Sequence, residues 1–284
     1  MKISGKAAAK INLLLDLGEK FDDGYHGIFT IMQSVGLYDT ITIAENSGGI
    51  AILSDKAGVP CDDRNTAYKA ARLFFEKTGI APGVDIQIEK EIPMQAGLGG
   101  GSADAAGTLL LLNELFKTGL SEYELCKIGT KVGADVPFCV KGGTALCQNI
   151  GEILSPLPEF SDKYIVIVKP SSSVSTKNAY ADYDASDNIR HVDREWILHK
   201  FINRDYKSFY DNTLNVFEQI VYVPERAEIK AVLRKNGSLL EMMSGSGSAI
   251  YGIFESKTDA NKAYSALKMA YGRVWLTEPV AGRR

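Results

Sequence analysis

The chain reads PMQAGLGGGSADAA over residues 93–106. Four glycines stand directly before an apolar stretch, so we predict a loop followed by a helix that Ser102 opens. A backbone without side chains lets an anion approach, and the N–H groups at a helix N-terminus attract negative charge. The stretch therefore predicts a phosphate site. The alternative is a flexible hairpin in which Ser102 is only an N-cap.

The glycine-rich loop departs from two common phosphate motifs. It does not end in Gly-Lys-Ser/Thr, as a Walker A loop does. It also does not match the dinucleotide fingerprint, because the third glycine of that motif is missing after Gly97. The loop alone therefore leaves the type of phosphate ligand open.

Strand and helix patterns lie on both sides of the loop. Residues 9–17 alternate with a two-residue period, which predicts a half-buried strand with Lys10 and Asn12 on one face. Further strands are predicted over 30–37, 40–44, 84–91, 164–168 and 273–277, and helices over 65–78, 102–119, 121–132 and 259–270. A linker at 154–158 divides the chain, so we predict an α+β fold with two domains, 1–156 and 157–284.

The composition is that of an ordinary globular protein. Of 284 residues, 45% are apolar and 24% charged, and 32 basic against 35 acidic side chains give a net charge of −3. This charge repels polyanions, so we expect no nucleic-acid partner, and without an apolar run of about 18 residues we expect no membrane contact. Four scattered cysteines and three histidines without ligand spacing predict reduced thiols, a cytoplasmic location and no bound metal.

Lys10 and Asp135 are the candidate catalytic pair. Lys10 lies among apolar neighbours, where an ammonium needs an anion or a carboxylate; alternatively its stem reaches solvent. Asp135 stands between Gly133-Ala134 and Pro137, where it could also be an ordinary N-cap. Beside a phosphate cradle, such a pair would supply the charge and the proton acceptor that phosphoryl transfer to a hydroxyl requires.

Three smaller motifs each have a functional and a structural interpretation. The run at 244–247 is either a bend that approaches the catalytic half or a simple hairpin, which we favour slightly. Tyr25 and His26 follow the Asp23-Gly24 turn, where they suit a planar base but equally an exposed turn. Asn65 is most simply a helix N-cap.

Six ordered motifs together resemble the superfamily of galactokinase, homoserine kinase, mevalonate kinase and phosphomevalonate kinase (GHMP). They are AKINL at 9–13, DGYH at 23–26, MQSV at 32–35, GLGGGS at 97–102, GADVP at 133–137 and SGSGS at 244–248. The Lys-x-Asn strand and the DGYH turn narrow the resemblance to the 4-diphosphocytidyl-2-C-methyl-D-erythritol kinase family. The motifs extend over nearly the whole chain.

This resemblance implies a fold, a reaction and a set of site residues. The fold would be a ribosomal-S5-domain-2-like α/β domain followed by a ferredoxin-like α+β domain. The reaction would be ATP-dependent phosphorylation of the tertiary 2-hydroxyl of a cytidine-diphosphate-linked methylerythritol, a step of the non-mevalonate isoprenoid pathway, with Mg2+ carried by ATP. The chain would act as a monomer or weak homodimer on this small-molecule substrate.

The residues implied by the resemblance fall into three groups. Asp135 would be the base and Lys10 its charged partner. The ATP site would comprise Asn65, Pro93, Met94, Gln95, Ala96, Gly97, Leu98, Gly99, Gly100, Gly101, Ser102 and Ala103. The substrate site would comprise Asn12, Tyr25, His26, Thr176 and Tyr180, with the aromatic side chains around the cytosine.

Two departures and two alternatives accompany these expectations. Gln95 stands where the family usually has a small residue, which leaves the shape of the loop entrance open. Ala103 replaces a frequent serine, so that Ser102 is the hydroxyl that remains there.

A homoserine or mevalonate-type kinase would lack the DGYH turn. A nucleotide-binding protein without catalysis would not need both Lys10 and Asp135.

Overall fold

Two groups of strands and helices follow one another in a computed structural model of the chain, which describes residues 1–22, 24–81 and 83–283. Asp23, part of the predicted turn, lies outside the described residues. The first group comprises β1 (Lys2–Lys20), β2 (His26–Glu45), β3 (Gly49–Ser54), α1 (Thr66–Thr78), β4 (Gly83–Glu89), α2 (Gly100–Leu115), α3 (Glu122–Thr130), α4 (Val136–Lys141), β5 (Thr144–Asn149) and β6 (Ile153–Pro156).

The first sheet is built around the long strand β2. Along one edge β2 pairs antiparallel with β1; along the other, its 28–33 segment pairs with β5 and its 40–45 segment with β4. The strand order is β3-β4-β2-β5-β6, with β3 and β4 parallel. The prediction of two separate strands at 30–37 and 40–44 is therefore wrong. The linker prediction is also wrong at its start, because β6 pairs with β5.

Strand β1 is buried on both of its faces. Every residue from 9 to 17 is buried, so the prediction of a half-buried strand is wrong. One face packs against α2, while Leu15 and Leu17 belong to a core formed with residues of the second group. The Tyr251 hydroxyl donates to the Asn12 carbonyl at 2.7 Å, so β1 lies between the two halves of the chain.

The second group forms a four-stranded antiparallel sheet with helices. It comprises β7 (Tyr164–Val168), α5 (Thr176–Asp184), α6 (Arg194–Ile202), α7 (Tyr206–Asn212), a 3-10 helix (Val216–Gln219), α8 (Arg226–Lys235), β8 (Leu240–Met243), β9 (Ile250–Phe254), α9 (Lys257–Ala270) and β10 (Val274–Thr277). The strand order β10-β7-β9-β8 corresponds to the order 4-1-3-2 of a ferredoxin-like βαββαβ unit. The predicted α+β fold class is confirmed.

The end of the chain returns to the first group. The Val280 N–H donates to the Ser34 carbonyl at 2.8 Å, and the Gly36 N–H donates to the Glu278 carbonyl at 3.0 Å. The halves therefore share backbone hydrogen bonds as well as a core. Among the described residues, no helix has the length and apolar character needed to cross a membrane.

Candidate active site

A cavity of about 780 Å3 opens between the two halves. It is lined by every residue of the predicted catalytic, ATP-binding and substrate-binding groups except Ala103. Ala103 is only 1% exposed and packs in the core, so its missing hydroxyl leaves the cavity wall unchanged. The structure therefore brings together predicted site residues that are up to 170 positions apart in the sequence. Lys10 and Tyr180 are the most distant pair among them.

The glycine-rich loop leads into α2 two residues earlier than predicted. The helix begins at Gly100, and Gly99 is its N-cap with a left-handed φ of 68°. The prediction that Ser102 opens the helix is therefore wrong, because glycine reaches this conformation without the steric cost that other residues bear. The N–H groups of Gly100, Gly101 and Ser102 have no partner within the helix, which makes this end suited to an anion.

The loop is held in place by the 244–247 segment, which connects β8 to β9. Both interpretations of this segment are correct, since it is a hairpin loop that also approaches the catalytic half. Gly97 has a φ of 74°, and a Cβ atom there would lie 1.9 Å from the Ser244 carbonyl oxygen. The Ser244 hydroxyl donates to the Gly97 carbonyl at 2.8 Å. The second domain thereby fixes the shape of the phosphate loop.

Lys10 and Asp135 meet beside this loop. Lys10 Nζ lies 3.3 Å from Asp135 Oδ2, although the residues are far apart in sequence. Lys10 is only 4% exposed, so the alternative of a stem reaching solvent is wrong. Its backbone N–H donates to the Leu98 carbonyl at 3.0 Å, which ties β1 to the loop.

Asp135 stands at the N-cap position of α4 without capping the helix. Its side chain makes no capping hydrogen bond, so the interpretation as an ordinary N-cap is wrong. The carboxylate instead points to Lys10 and keeps 30% of its side-chain surface exposed. It is therefore both charge-paired and accessible from the cavity.

Asn12 positions Lys10. Its Oδ1 accepts from Lys10 Nζ at 2.8 Å and from the Gly245 N–H at 2.9 Å, while its Nδ2 donates to Thr30 Oγ1 at 2.8 Å. Asn12 is fully buried, so its amide is committed to protein partners. These bonds connect the lysine to the 244–247 loop.

Aromatic side chains form another part of the cavity wall. The rings of His26 and Tyr180 stack with centroids 5.7 Å apart, and Tyr183 meets His26 edge-on. His26 Nε2 lies 2.7 Å from Asp184 Oδ1, whereas the side chain of Tyr25 is exposed on the cavity wall. Burial, followed by the negative charge of Asp135, raises the pKa of Tyr180, so the phenol stays neutral.

Two predicted site residues have structural partners. Asn65 caps α1 by accepting from the Ala67 N–H at 2.8 Å, in agreement with the simpler interpretation. Thr176, the first residue of α5, has its hydroxyl 2.9 Å from Ser246 Oγ. Thr176 therefore connects α5 to the 244–247 loop.

The sequence analysis missed a second buried charge cluster in the cavity wall. Lys90 contacts Asp39 and lies 3.0 Å from Asp104 Oδ2. Burial, opposed by Lys90 and assisted by Asp39, raises the pKa of Asp104 to about 7. A signal was present, because Asp104 is the single charged residue in the mostly apolar run 102–112.

Comparisons with known proteins agree with this geometry. The family model "GHMP kinases N terminal domain" matches residues 65–143, and "GHMP kinases C terminal" matches 197–272. The 4-diphosphocytidyl-2-C-methyl-D-erythritol kinase of Clostridium beijerinckii is 43% identical over 99% of this chain and 100% of its own. That of Clostridium novyi is 42% identical over 97% of this chain and 99% of its own.

Solved structures give the same result. A crystal structure of 4-(cytidine 5'-diphospho)-2C-methyl-D-erythritol kinase superposes with a TM-score of 0.81 at 33% identity and covers 99% of this chain and 100% of its own. A homoserine kinase from Cytophaga hutchinsonii reaches 0.79 at 19% identity, over 100% of this chain and 96% of its own, which shows the shared fold alone. The chain belongs to the GHMP kinases, enzymes of ATP-dependent phosphoryl transfer, and within them to the 4-diphosphocytidyl-2-C-methyl-D-erythritol kinase family.

Proposed function

We propose that this chain transfers the γ-phosphoryl group of ATP to the 2-hydroxyl of 4-diphosphocytidyl-2-C-methyl-D-erythritol, with Lys10 and Asp135 as its catalytic residues. One observation carries the proposal: Lys10 Nζ lies 3.3 Å from Asp135 Oδ2 in a cavity that the glycine-rich loop also lines. An ammonium, a carboxylate and a cradle of N–H groups supply the charge neutralisation and the proton acceptor of this reaction.

Each catalytic group has a separate task in the proposed reaction. The N–H groups that open α2 hold the triphosphate, and Lys10 offsets the charge of the transferred group. The substrate oxygen forms a bond to the γ-phosphorus as the bond to ADP breaks. A carboxylate is a much weaker base than an alkoxide, so Asp135 accepts the hydroxyl proton late, when the transition state already resembles products.

The family also implies a Mg2+ ion that accompanies ATP. Within residues 1–22, 24–81 and 83–283, no three His, Cys, Asp or Glu side chains are arranged to hold a metal ion. We propose that phosphate oxygens and water supply most ligands of the ion, as is common for Mg2+ bound with a nucleotide. When bound, the ion would neutralise part of the triphosphate charge.

The aromatic end of the cavity suits the cytosine. Tyr25, His26 and Tyr180 all line the cavity, and aromatic rings stack on planar bases, so we assign these residues to the base. Asn65 and the loop 93–102 are assigned to ATP, Thr176 to placing the substrate, and Asn12 to positioning Lys10 beside it. The proposal includes domains 1–156 and 157–284, action as a monomer or weak homodimer, and a cytoplasmic location, which the four free cysteines support.

An acceptor panel tests the proposed reaction. ADP release is followed with 4-diphosphocytidyl-2-C-methyl-D-erythritol, homoserine and mevalonate, with Mg2+ and ATP in excess. The proposal predicts turnover with the cytidine compound alone. Turnover with homoserine or mevalonate would reassign the substrate, and ADP release from none of the three would favour a nucleotide-binding protein without catalysis.

The cytosine assignment is tested with Tyr180→Ala. Loss of the ring should raise the KM for the cytidine substrate by about tenfold, since base stacking on an aromatic side chain contributes about 1–3 kcal/mol. The KM for ATP should stay within about twofold. Tyr222→Ala, which removes an 81% exposed tyrosine outside the cavity lining, is the matched control. Equal losses for both nucleotides would contradict the assignment.

A further inference from the structure

The Lys90 cluster contains more negative than positive charge. Its single ammonium contacts two carboxylates, those of Asp39 and Asp104, and all three side chains are at most 6% exposed. With every group ionised, the cluster has a net charge of −1 and is largely shielded from water. Burial makes such an excess costly, and a proton on one carboxylate removes it.

The two carboxylates differ in how well their charge is satisfied. Asp39 Oδ1 accepts from the backbone N–H groups of Glu91 at 2.6 Å and Ile92 at 2.8 Å. Asp104 Oδ1 is buried and has no hydrogen-bond partner among the residues that the structure describes. Two backbone donors already occupy Asp39 Oδ1, so a proton taken up by the cluster belongs on Asp104.

The cluster lies directly beneath the phosphate loop. A Cβ atom built on Gly100 would lie 2.9 Å from Lys90 Nζ, and Gly100 is the first residue of α2. Lys90 and Asp104 both line the cavity that contains the loop. A triphosphate on the first N–H groups of α2 would therefore bring several negative charges close to the cluster.

We propose that Asp104 takes up a proton when ATP binds, so that the Lys90 cluster is neutral beneath the triphosphate. The inference rests on the proposed function, because it assumes that ATP occupies the loop. In the free protein the pKa of Asp104 is raised to about 7 by burial and by Asp39, so the carboxyl group is partly ionised at neutral pH. A nearby polyanion disfavours the ionised form further.

Other charged groups packed around α2 have partners of their own. Lys10 on β1 pairs with Asp135 before α4, and Glu122 on α3 pairs with Lys141 on α4. Burial raises the pKa of Cys139 on α4, which keeps the thiol neutral. From α1, the Thr66 hydroxyl donates to the Gly101 carbonyl at 2.6 Å. Lys90 and Asp39 remain as the charged groups that act on Asp104.

Calorimetry of ATP binding tests the proposal. ATP with excess Mg2+ is titrated into the protein at pH 8 in buffers of different ionisation enthalpy, without acceptor substrate. The wild-type protein should take up close to one proton per ATP, and Asp104→Asn should take up about one proton fewer. Asp85→Asn, a carboxylate on β4 that accepts from Asn46 Nδ2 at 2.7 Å, is the matched control and should behave as wild type.

The outcomes separate the inference from the proposed function. Equal proton uptake by wild type and Asp104→Asn, or none by wild type, would overturn the inference while leaving ATP binding intact. Failure of the wild-type protein to bind ATP would overturn the proposed function itself.

A second measurement needs no variant. Between pH 7.5 and 9 the wild-type Kd for ATP should rise by about tenfold per pH unit, because one proton must be bound with each ATP. A flat profile over that range would overturn the proposal even if Asp104→Asn failed to fold.

Discussion

Two buried lysines flank the same phosphate loop, but their surroundings differ. Lys10 pairs with a single carboxylate, that of Asp135, which keeps 30% of its side-chain surface exposed. Lys90 contacts the carboxylates of Asp39 and Asp104, which are at most 4% exposed. The first pair is balanced in charge and has an accessible carboxylate, whereas the second cluster has excess negative charge and is almost fully buried.

This difference shows how one fold uses the same residue types in two ways. A carboxylate that takes a proton from a substrate must be reachable, and Asp135 is. A buried carboxylate must find its compensation inside the protein, and Asp104 Oδ1 has no hydrogen-bond partner among the described residues. Under the proposed function, exposure of the aspartate would distinguish the reacting pair from the cluster that supports the loop.

The largest expected effect comes from replacing the lysine of each cluster. Lys90→Met should lower the free energy of unfolding by roughly 3–5 kcal/mol, because it leaves buried carboxylates without their cation. Lys10→Met should cost only about 1–2 kcal/mol, because Asp135 can be rehydrated from the cavity. Urea unfolding of both variants beside wild type measures the two losses. Equal losses would show that exposure of the carboxylate does not separate the two clusters.

A smaller expected effect is the pH dependence that Asp104 gives to the stability of the protein. The pKa of Asp104 is about 7 in the folded chain against an ordinary value of 3.8, so the folded state retains a proton that the unfolded state releases as pH rises. The contribution of protonated Asp104 to the free energy of unfolding is fully present below about pH 4 and is lost as pH approaches 7.

The pH effect is measured as a difference between two proteins. From pH 5 to 7, the unfolding free energy of wild type minus that of Asp104→Asn should fall by up to about 1.4 kcal/mol per pH unit. Urea unfolding at pH 5, 6 and 7 measures it. A difference that does not change with pH would mean that Asp104 is already ionised when folded.

Local sequence patterns predicted the parts of the fold and site that local chemistry determines. The glycine run and the apolar stretch after it indicated the glycine-rich loop and helix α2, and the helix predicted over 121–132 is present as α3. An isolated lysine in an apolar strand indicated an anionic partner, and Lys10 has one in Asp135.

Features that depend on distant contacts were not predictable in this way. The alternation of β1 indicated one buried face, whereas the second half of the chain covers the other. Lys90 stands between two glutamates and Asp39 between Tyr38 and Thr40, so each has the pattern of a surface charge. Only the fold brings these residues to Asp104.

The most direct test of the central claim is the single-turnover rate of Asp135→Asn with ATP and 4-diphosphocytidyl-2-C-methyl-D-erythritol both saturating. Removal of the proton acceptor should lower this rate by about a hundredfold or more, while the affinity for each nucleotide and the melting temperature stay close to wild type. A rate within a few-fold of wild type would contradict the assignment of the Lys10–Asp135 pair as the site of phosphoryl transfer.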